Sequence, residues 1–259
     1  MHQSAVRPSL SDLSGLVRAL VPVLALLLVT ACTAPGAARP RPHWAADQAR
    51  GQVARHSAHT VVGPRAGLDA ATVVLDSGVT GVTVRVADLG GDLFRVRTPD
   101  GSSVVPVASR SGADVRLTTA GTGLGGAAAL DVTLHRAVRW QVRLGGGARD
   151  AQVDLRDGAV SGVEFVAGFG RIALTLPPPR GTVPVRMSGG ADSFRLVLPG
   201  DAPVRVRVGG GAGSVVVDGV TRTGVPGGTV VEGPTWAAAA DRYDVDLAAG
   251  VSRLVLDRG

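Results

Sequence analysis

Apolar and polar residues alternate strictly through much of this chain. Val204, Val206 and Val208 are separated by Arg205 and Arg207. The same alternation runs through Trp140-Gln141-Val142-Arg143-Leu144 and Val183-Pro184-Val185-Arg186-Met187. Successive side chains of an extended strand leave opposite faces, so each run has one apolar and one polar face. Each run then meets glycines: Gly145-Gly146-Gly147, Gly189-Gly190 and Gly209-Gly210-Gly211. A fourth unit, Val163-Glu164-Phe165, leads to Gly168 and Gly170, and a fifth, Tyr243-Asp244-Val245-Asp246-Leu247, leads to Gly250. A second alternating segment follows the glycines each time. The units starting at Trp140, Val163, Val183 and Val204 recur at roughly 20 residues, a period of solenoid repeats.

The spacing inside a unit is regular too. The last apolar residue of the first strand and the first of the second are Phe165 and Ile172, Met187 and Phe194, Val208 and Val215, and Leu247 and Leu254. Each step is odd, and an odd step on a straight strand changes face. The glycines must therefore turn a corner that returns both apolar faces to one core. Glycine accepts positive φ at no steric cost and lets stacked corners approach closely. In the first unit the step, Leu144 to Val153, is longer. The pattern predicts an all-β chain with one β-solenoid or β-helix-like stack of short glycine-cornered strands, with a β-sandwich as the alternative. About seven coils at ~4.8 Å each would make a stack roughly 35 Å long.

Upstream, Val82–Val86, Leu93–Arg97, Val104–Val107, Val115–Thr118 and Leu130–Leu134 read as leading coils that follow the repeat less closely. Asp100-Gly101 marks a tight turn. Pro177-Pro178-Pro179 ends the strand before it, because proline cannot donate to a sheet. Thr221–Ala240 reads as an excursion whose Trp236 covers the end of the stack. The strands after Tyr243 are then the terminal cap.

Composition supports thin repetitive layers: aromatic residues make up 3% of the chain, and glycines number 37. The start is different. Arg7 and Arg18 precede an uncharged stretch, Ala19–Ala31, too short for a membrane span but suited to an export signal. It ends in Val29-Thr30-Ala31-Cys32, which resembles a bacterial lipobox, and this resemblance implies a lipid on Cys32, the only cysteine. The organisation expected is a lipoprotein signal peptide over 1–31, a flexible tether over 32–68 and the β-solenoid domain over 69–259. The tether holds Pro35, Pro40, Pro42 and Pro64 and arginines at 39, 41, 50, 55 and 65 that suit anionic lipid or wall polymer. Gln48–His56 could form a short helix.

The runs Val183–Asp192 and Val204–Gly213, with the closing Asp241–Val251, resemble the candidate-adhesin β-solenoid domains of bacteria, including the LiaF-like, "toast-rack" group of cell-wall-stress proteins. The resemblance covers Leu130–Gly259 well and Asp69–Ala129 loosely. Its motifs are structural glycines and alternating valines, so it implies a fold and an envelope location rather than an activity. LiaF-like proteins restrain a sensor kinase but carry several membrane helices ahead of the domain, where this chain has a lipidated start.

Catalytic signatures fail one by one. Gly121, Gly123 and Gly126 match G-x-G-x-x-G, but an alternating strand follows instead of the long helix a dinucleotide needs, so a turn is expected. The chain has no lysine for a phosphate-binding loop and no G-x-S-x-G elbow. His56 and His59 lack ligand partners, and His135 stands alone. Asp76, Asp88, Asp92 and Asp100 read as turn formers, and Gly189-Gly190-Ala191-Asp192 only half fits a calcium roll. No residue is assigned to catalysis, a cofactor or a metal. The net charge is +6. Arg143, Arg186, Arg205 and Arg207 project from equivalent strands and form the candidate basic surface stripe, facing wall polymer or an envelope protein. Nucleic acid does not fit an exported chain with so few rings. The reading is a non-catalytic envelope lipoprotein on the outer face of the cell membrane, adhesin-like or a structural binding module. The alternatives are a stress-signalling accessory to a membrane kinase and, weaker, an enzyme on envelope polysaccharide.

Overall fold

The computed structural model describes residues 55–57 and 59–259, which form strands and no helix. The strands are β1 (Arg55–Ser57), β2 (Thr60–Pro64), β3 (Ala70–Leu75), β4 (Val79–Ala87), β5 (Asp92–Arg97), β6 (Val104–Ser111) and β7 (Asp114–Gly121). Next come β8 (Ala129–His135), β9 (Arg139–Leu144), β10 (Ala148–Asp154), β11 (Ala159–Phe165), β12 (Phe169–Thr175), β13 (Thr182–Met187) and β14 (Ala191–Leu198). The last are β15 (Val204–Val208), β16 (Ala212–Val217), β17 (Val220–Val225), β18 (Thr229–Glu232), β19 (Arg242–Leu247) and β20 (Val251–Arg258). The signal segment, Cys32 and most of the tether lie outside the described residues. Two strands fall inside the stretch read as tether: β2 pairs with β5, and Val61 is buried in the core. Residues 55–57, which overlap the end of the Gln48–His56 stretch, form a strand against β2.

The fold is an all-β stack of seven coils. Each coil contributes one strand to a nine-stranded sheet and the next to an eleven-stranded sheet. In chain order the coils are β3–β4, β7–β8, β9–β10, β11–β12, β13–β14, β15–β16 and β19–β20. Neighbouring coils run parallel in both sheets. In space the order is 2, 1, 3, 4, 5, 7, 6, so the closing coil enters between coils 5 and 6.

The alternation then has a direct consequence. Val115, Val73, Val142, Val163, Val185, Val245 and Val206 stand in register on successive strands of the nine-stranded sheet. All are 3% exposed or less. Opposite them run Val82, Ala151, Ile172, Phe194, Leu254 and Val215. A coil alone leaves its valines wet, and each neighbour removes them from water, worth about 1.5–3 kcal/mol per fully buried side chain.

The corner resolves the parity problem in a different place from the one expected. Leu144 and Ala148 flank Gly145-Gly146-Gly147, an even step that keeps both side chains inward. The odd residue sits further on, where Arg149 and Asp150 both point outward before Ala151 is buried. The same pair recurs at Gly170-Arg171, Asp192-Ser193, Ser252-Arg253 and Gly213-Ser214, and the pairing skips its first member each time. These are stacked pairs of consecutive outward residues, and the register between strands is unchanged across them. Ala151, not Val153, is the partner of Leu144, and Leu75 to Val82 is the same step in coil 1, whereas in coil 2 the loop between β7 and β8 lengthens the step, from Leu117 to Leu130.

Positive φ is not what the corners need, since among their glycines only Gly211 (φ 82°) has it. Close approach is. A Cβ on Gly146 would lie 2.1 Å from the Ser77 carbonyl oxygen, one on Gly189 1.9 Å from that of Ala167, and one on Gly210 2.4 Å from the Ala249 carbonyl carbon. The middle corner residue in spatial order is Ser77, Gly146, Ala167, Gly189, Ala249, Gly210. Residues with and without a Cβ alternate, and that alternation exists only in the spatial order.

Antiparallel strands close the stack. β5 and β6 cover coil 2, and β17 and β18 cover coil 6. The strands after Tyr243 are therefore an inner coil and not the cap. Trp236 lies beside the nine-stranded sheet instead of over the end, with its ring between Arg205 and Arg242 at 3.6 and 4.3 Å from their guanidinium carbons. Its Nε1–H donates to the Tyr243 carbonyl at 2.7 Å.

Candidate functional site

The outer face of the nine-stranded sheet carries the four arginines singled out in the sequence. Because every coil places its polar residues outward, stacking turns one position per coil into a row across the sheet. Arg143, Glu164, Arg186, Asp246 and Arg207 stand in that order on β9, β11, β13, β19 and β15. A second row holds Asp244, Arg205 and Glu232. The four arginines share one face, and carboxylates on adjacent strands alternate with them.

The pairs are close. Arg143 meets Glu164 in a short ion pair, and Arg186 lies 3.3 Å from Asp246. Arg205 bonds Asp244 at 3.0 Å and approaches Glu232 at 3.8 Å, while Arg207 reaches Asp244 at 3.3 Å. The face carries alternating charge, so its field at a distance is small, and a polyanion must compete with built-in carboxylates for these guanidinium groups. Arg143 and Arg186 keep 43% and 54% of their side chains exposed and can offer spare N–H donors, whereas Arg205 keeps 23%.

Other sequence candidates stand apart from one another. His135 is buried; its Nδ1 accepts from the Ala137 N–H at 3.1 Å and its Nε2 faces the Gly90 carbonyl at 3.2 Å, so it locks two loops together. His59 bonds the Thr98 hydroxyl at 3.0 Å. Gly121–Gly126 joins β7 to β8 as a loop, with Gly126 packed on the Gly101 carbonyl. Asp76 is a partner of Arg116, and Asp92 of Arg95. The Gly90 N–H on Asp88 holds that exposed carboxyl below its ordinary pKa. Among the described residues no group of three potential metal ligands gathers, and no buried side-chain polar atom lacks a partner.

The surface concavities are open. A shallow groove of about 940 Å³ follows the glycine corners past Gly168, Gly190, Gly250 and Gly211. A cleft of about 680 Å³ lies between Asp201, Pro234 and Arg258, and a dent of about 270 Å³ has Ala173 at its floor and Asp150, Gln152 and Asp154 on its walls. The sequence does not point to any of these, because each is lined by residues that come together from separate coils.

No family model and no curated protein matches the chain. Among solved structures, a candidate cell adhesion protein from Clostridium sporogenes is similar at a TM-score of 0.59 and 16% identity, over 77% of this chain and 98% of that one. The two share a fold. A candidate adhesin from Bacteroides fragilis aligns over the same shares at a TM-score of 0.21 and 7% identity, too low to bear on the argument.

Proposed function

We propose that this protein is a non-catalytic, adhesin-like module of the bacterial cell surface, held at the outer face of the membrane by a lipid on Cys32. The observation that carries the reading is the distribution of charge. Ionisable groups are spread as pairs over flat strand faces, and the concavities are open, whereas catalysis needs groups converging in a site that excludes water. Extended faces with a repeat of about 4.8 Å per strand suit a long partner such as a wall polymer better than a small molecule. That the Clostridium protein of similar fold is a candidate cell adhesion protein agrees with this reading.

Two measurements test it. Cys32→Ser should release the protein from the membrane fraction and abolish labelling by palmitate; retention with label would end the lipid anchor. For binding, Arg143→Gln with Arg186→Gln removes the two most exposed of the four guanidinium groups while leaving Asp244 its partners. The wild type should sediment with purified cell wall, and the double variant should bind at least about tenfold more weakly if each lost charged contact is worth ~1 kcal/mol. Equal binding would remove these arginines from the interface, and no wall binding by the wild type would sink the polymer reading itself.

A further inference from the structure

The two ends of the stack are closed differently. A coil stack ends on strands whose outer N–H and C=O groups face solvent, which makes each end a template for another chain. At the coil 2 end, Arg110 of β6 stands in register with Val115, so it occupies the next place in the buried valine column. Its Nη1 donates to the Pro64 carbonyl on β2 at 2.6 Å, and its Nε to the Gly112 carbonyl at 2.7 Å. One side chain thus bridges the two sheets across the end of the core, and the short β1 covers the eleven-stranded side beyond β2.

At the coil 6 end the corresponding place belongs to Arg222. It stands in register with Val215, so it continues the column that runs through Ile172, Phe194 and Leu254, on the core side of β17. It is exposed. Its neighbours are apolar: Val220 on the same strand is 62% exposed, Val225 is buried, and Val231 across the gap on β18 packs against the core. On the core side of these two free-edged strands Arg222 is the charged position, among Val220, Val225, Thr229 and Val231. Bringing a second copy onto this end would strip water from the guanidinium, a cost that an apolar residue would not impose.

We propose that Arg222 blocks extension of the stack, keeping two copies of this chain from joining coil 6 end to coil 6 end about a twofold axis. The test uses the full-length chain with Cys32→Ser, so that neither lipid nor disulfide links copies. Sedimentation velocity compares Arg222, Arg222→Lys and Arg222→Val over a range of concentrations. The valine variant should form a dimer of roughly twice the monomer mass as concentration rises, and the other two should remain monomers. Arg222 is exposed, so all three should melt alike, which thermal unfolding of each verifies. The proposal fails if the valine variant stays monomeric throughout, if the lysine variant dimerises as readily as the valine one, or if the wild type already pairs through this end.

Discussion

The Asp246 carboxylate lies 3.3 Å from the Arg186 guanidinium on the strand beside it, and on its other side it faces Arg207 in register. This relationship explains why the chain leaves its own order. Were β15 to pack directly beside β13 in the same valine register, Arg207 would stand opposite Arg186. Like charges directly opposite on a sheet are unfavourable. The closing coil brings Asp244 and Asp246 between them, and Asp257 of its second strand pairs with Arg195 of coil 5 at 2.7 Å. The hydrophobic pattern admits either order, and the charges favour the observed one.

Asp246→Arg should therefore cost about 1–2 kcal/mol by urea unfolding, since it places three arginines in a row. Asp246→Asn should cost only about 0.5 kcal/mol. The difference should shrink at high salt, where exposed charges are screened. If reversal and neutralisation cost the same, charge does not order the coils.

The corner glycines separate into two kinds. Gly189→Ala forces a Cβ into the Ala167 backbone carbonyl, which cannot swing aside as a side chain end would. It should cost about 3 kcal/mol or more. Gly168→Ala meets nothing nearer than 3.9 Å and has no positive φ, so its effect should stay within about 0.5 kcal/mol. Denaturant midpoints for the two variants decide the matter, and equal effects would show that the corners tolerate or reject a methyl group for some other reason.

Much of this architecture is legible in the residues. Val142, Val185 and Val206 announce one apolar face by alternation alone, and the fold sets them in one buried column. The early coils are harder to read because alanine carries a weak signal: Ala151 fills the place of Ile172 and Phe194, yet Val153 looks like the better match. Coil order depends on contacts between residues distant in sequence, such as Arg207 with Asp244, which no local pattern contains. The arginine positions were visible as a set, but their carboxylate partners come from other coils and appear only once those coils are placed. The stacked outward pairs are hidden in the sequence because two outward residues in succession, such as Arg149 and Asp150, look like a loop.

Trp236 anchors the excursion before the closing coil. Its ring stacks between two guanidinium groups, and its N–H is bonded to Tyr243. Trp236→Phe keeps an aromatic ring there but orphans the carbonyl, and should cost about 1 kcal/mol. Trp236→Ala also loses the stacking and the buried area, about 3 kcal/mol in all. Thermal melts of both variants rank the contributions; an alanine variant as stable as wild type would mean that the excursion does not hold coil 7 in place.

Tyr243 is the chain's only tyrosine, so phenolate absorbance reports one residue. Its side chain is fully buried in the core, its hydroxyl donates to the Pro177 carbonyl, and burial pushes its pKa well above the ordinary value near 10. The folded state thus holds the phenolic proton more tightly than the unfolded chain does. Its contribution to stability is complete below about pH 10 and falls as the pH rises beyond that, because the unfolded chain then releases a proton that the native one retains. Phenolate absorbance should stay flat through about pH 10 and rise only together with the loss of the near-ultraviolet circular dichroism of the core. Tyr243→Phe should be about 1–2 kcal/mol less stable at neutral pH, through the orphaned Pro177 carbonyl, and should lose stability less steeply in alkali. A phenolate that titrates near pH 10 while the protein remains folded would place Tyr243 in contact with water and undo the packing of coils 5 and 7 described above.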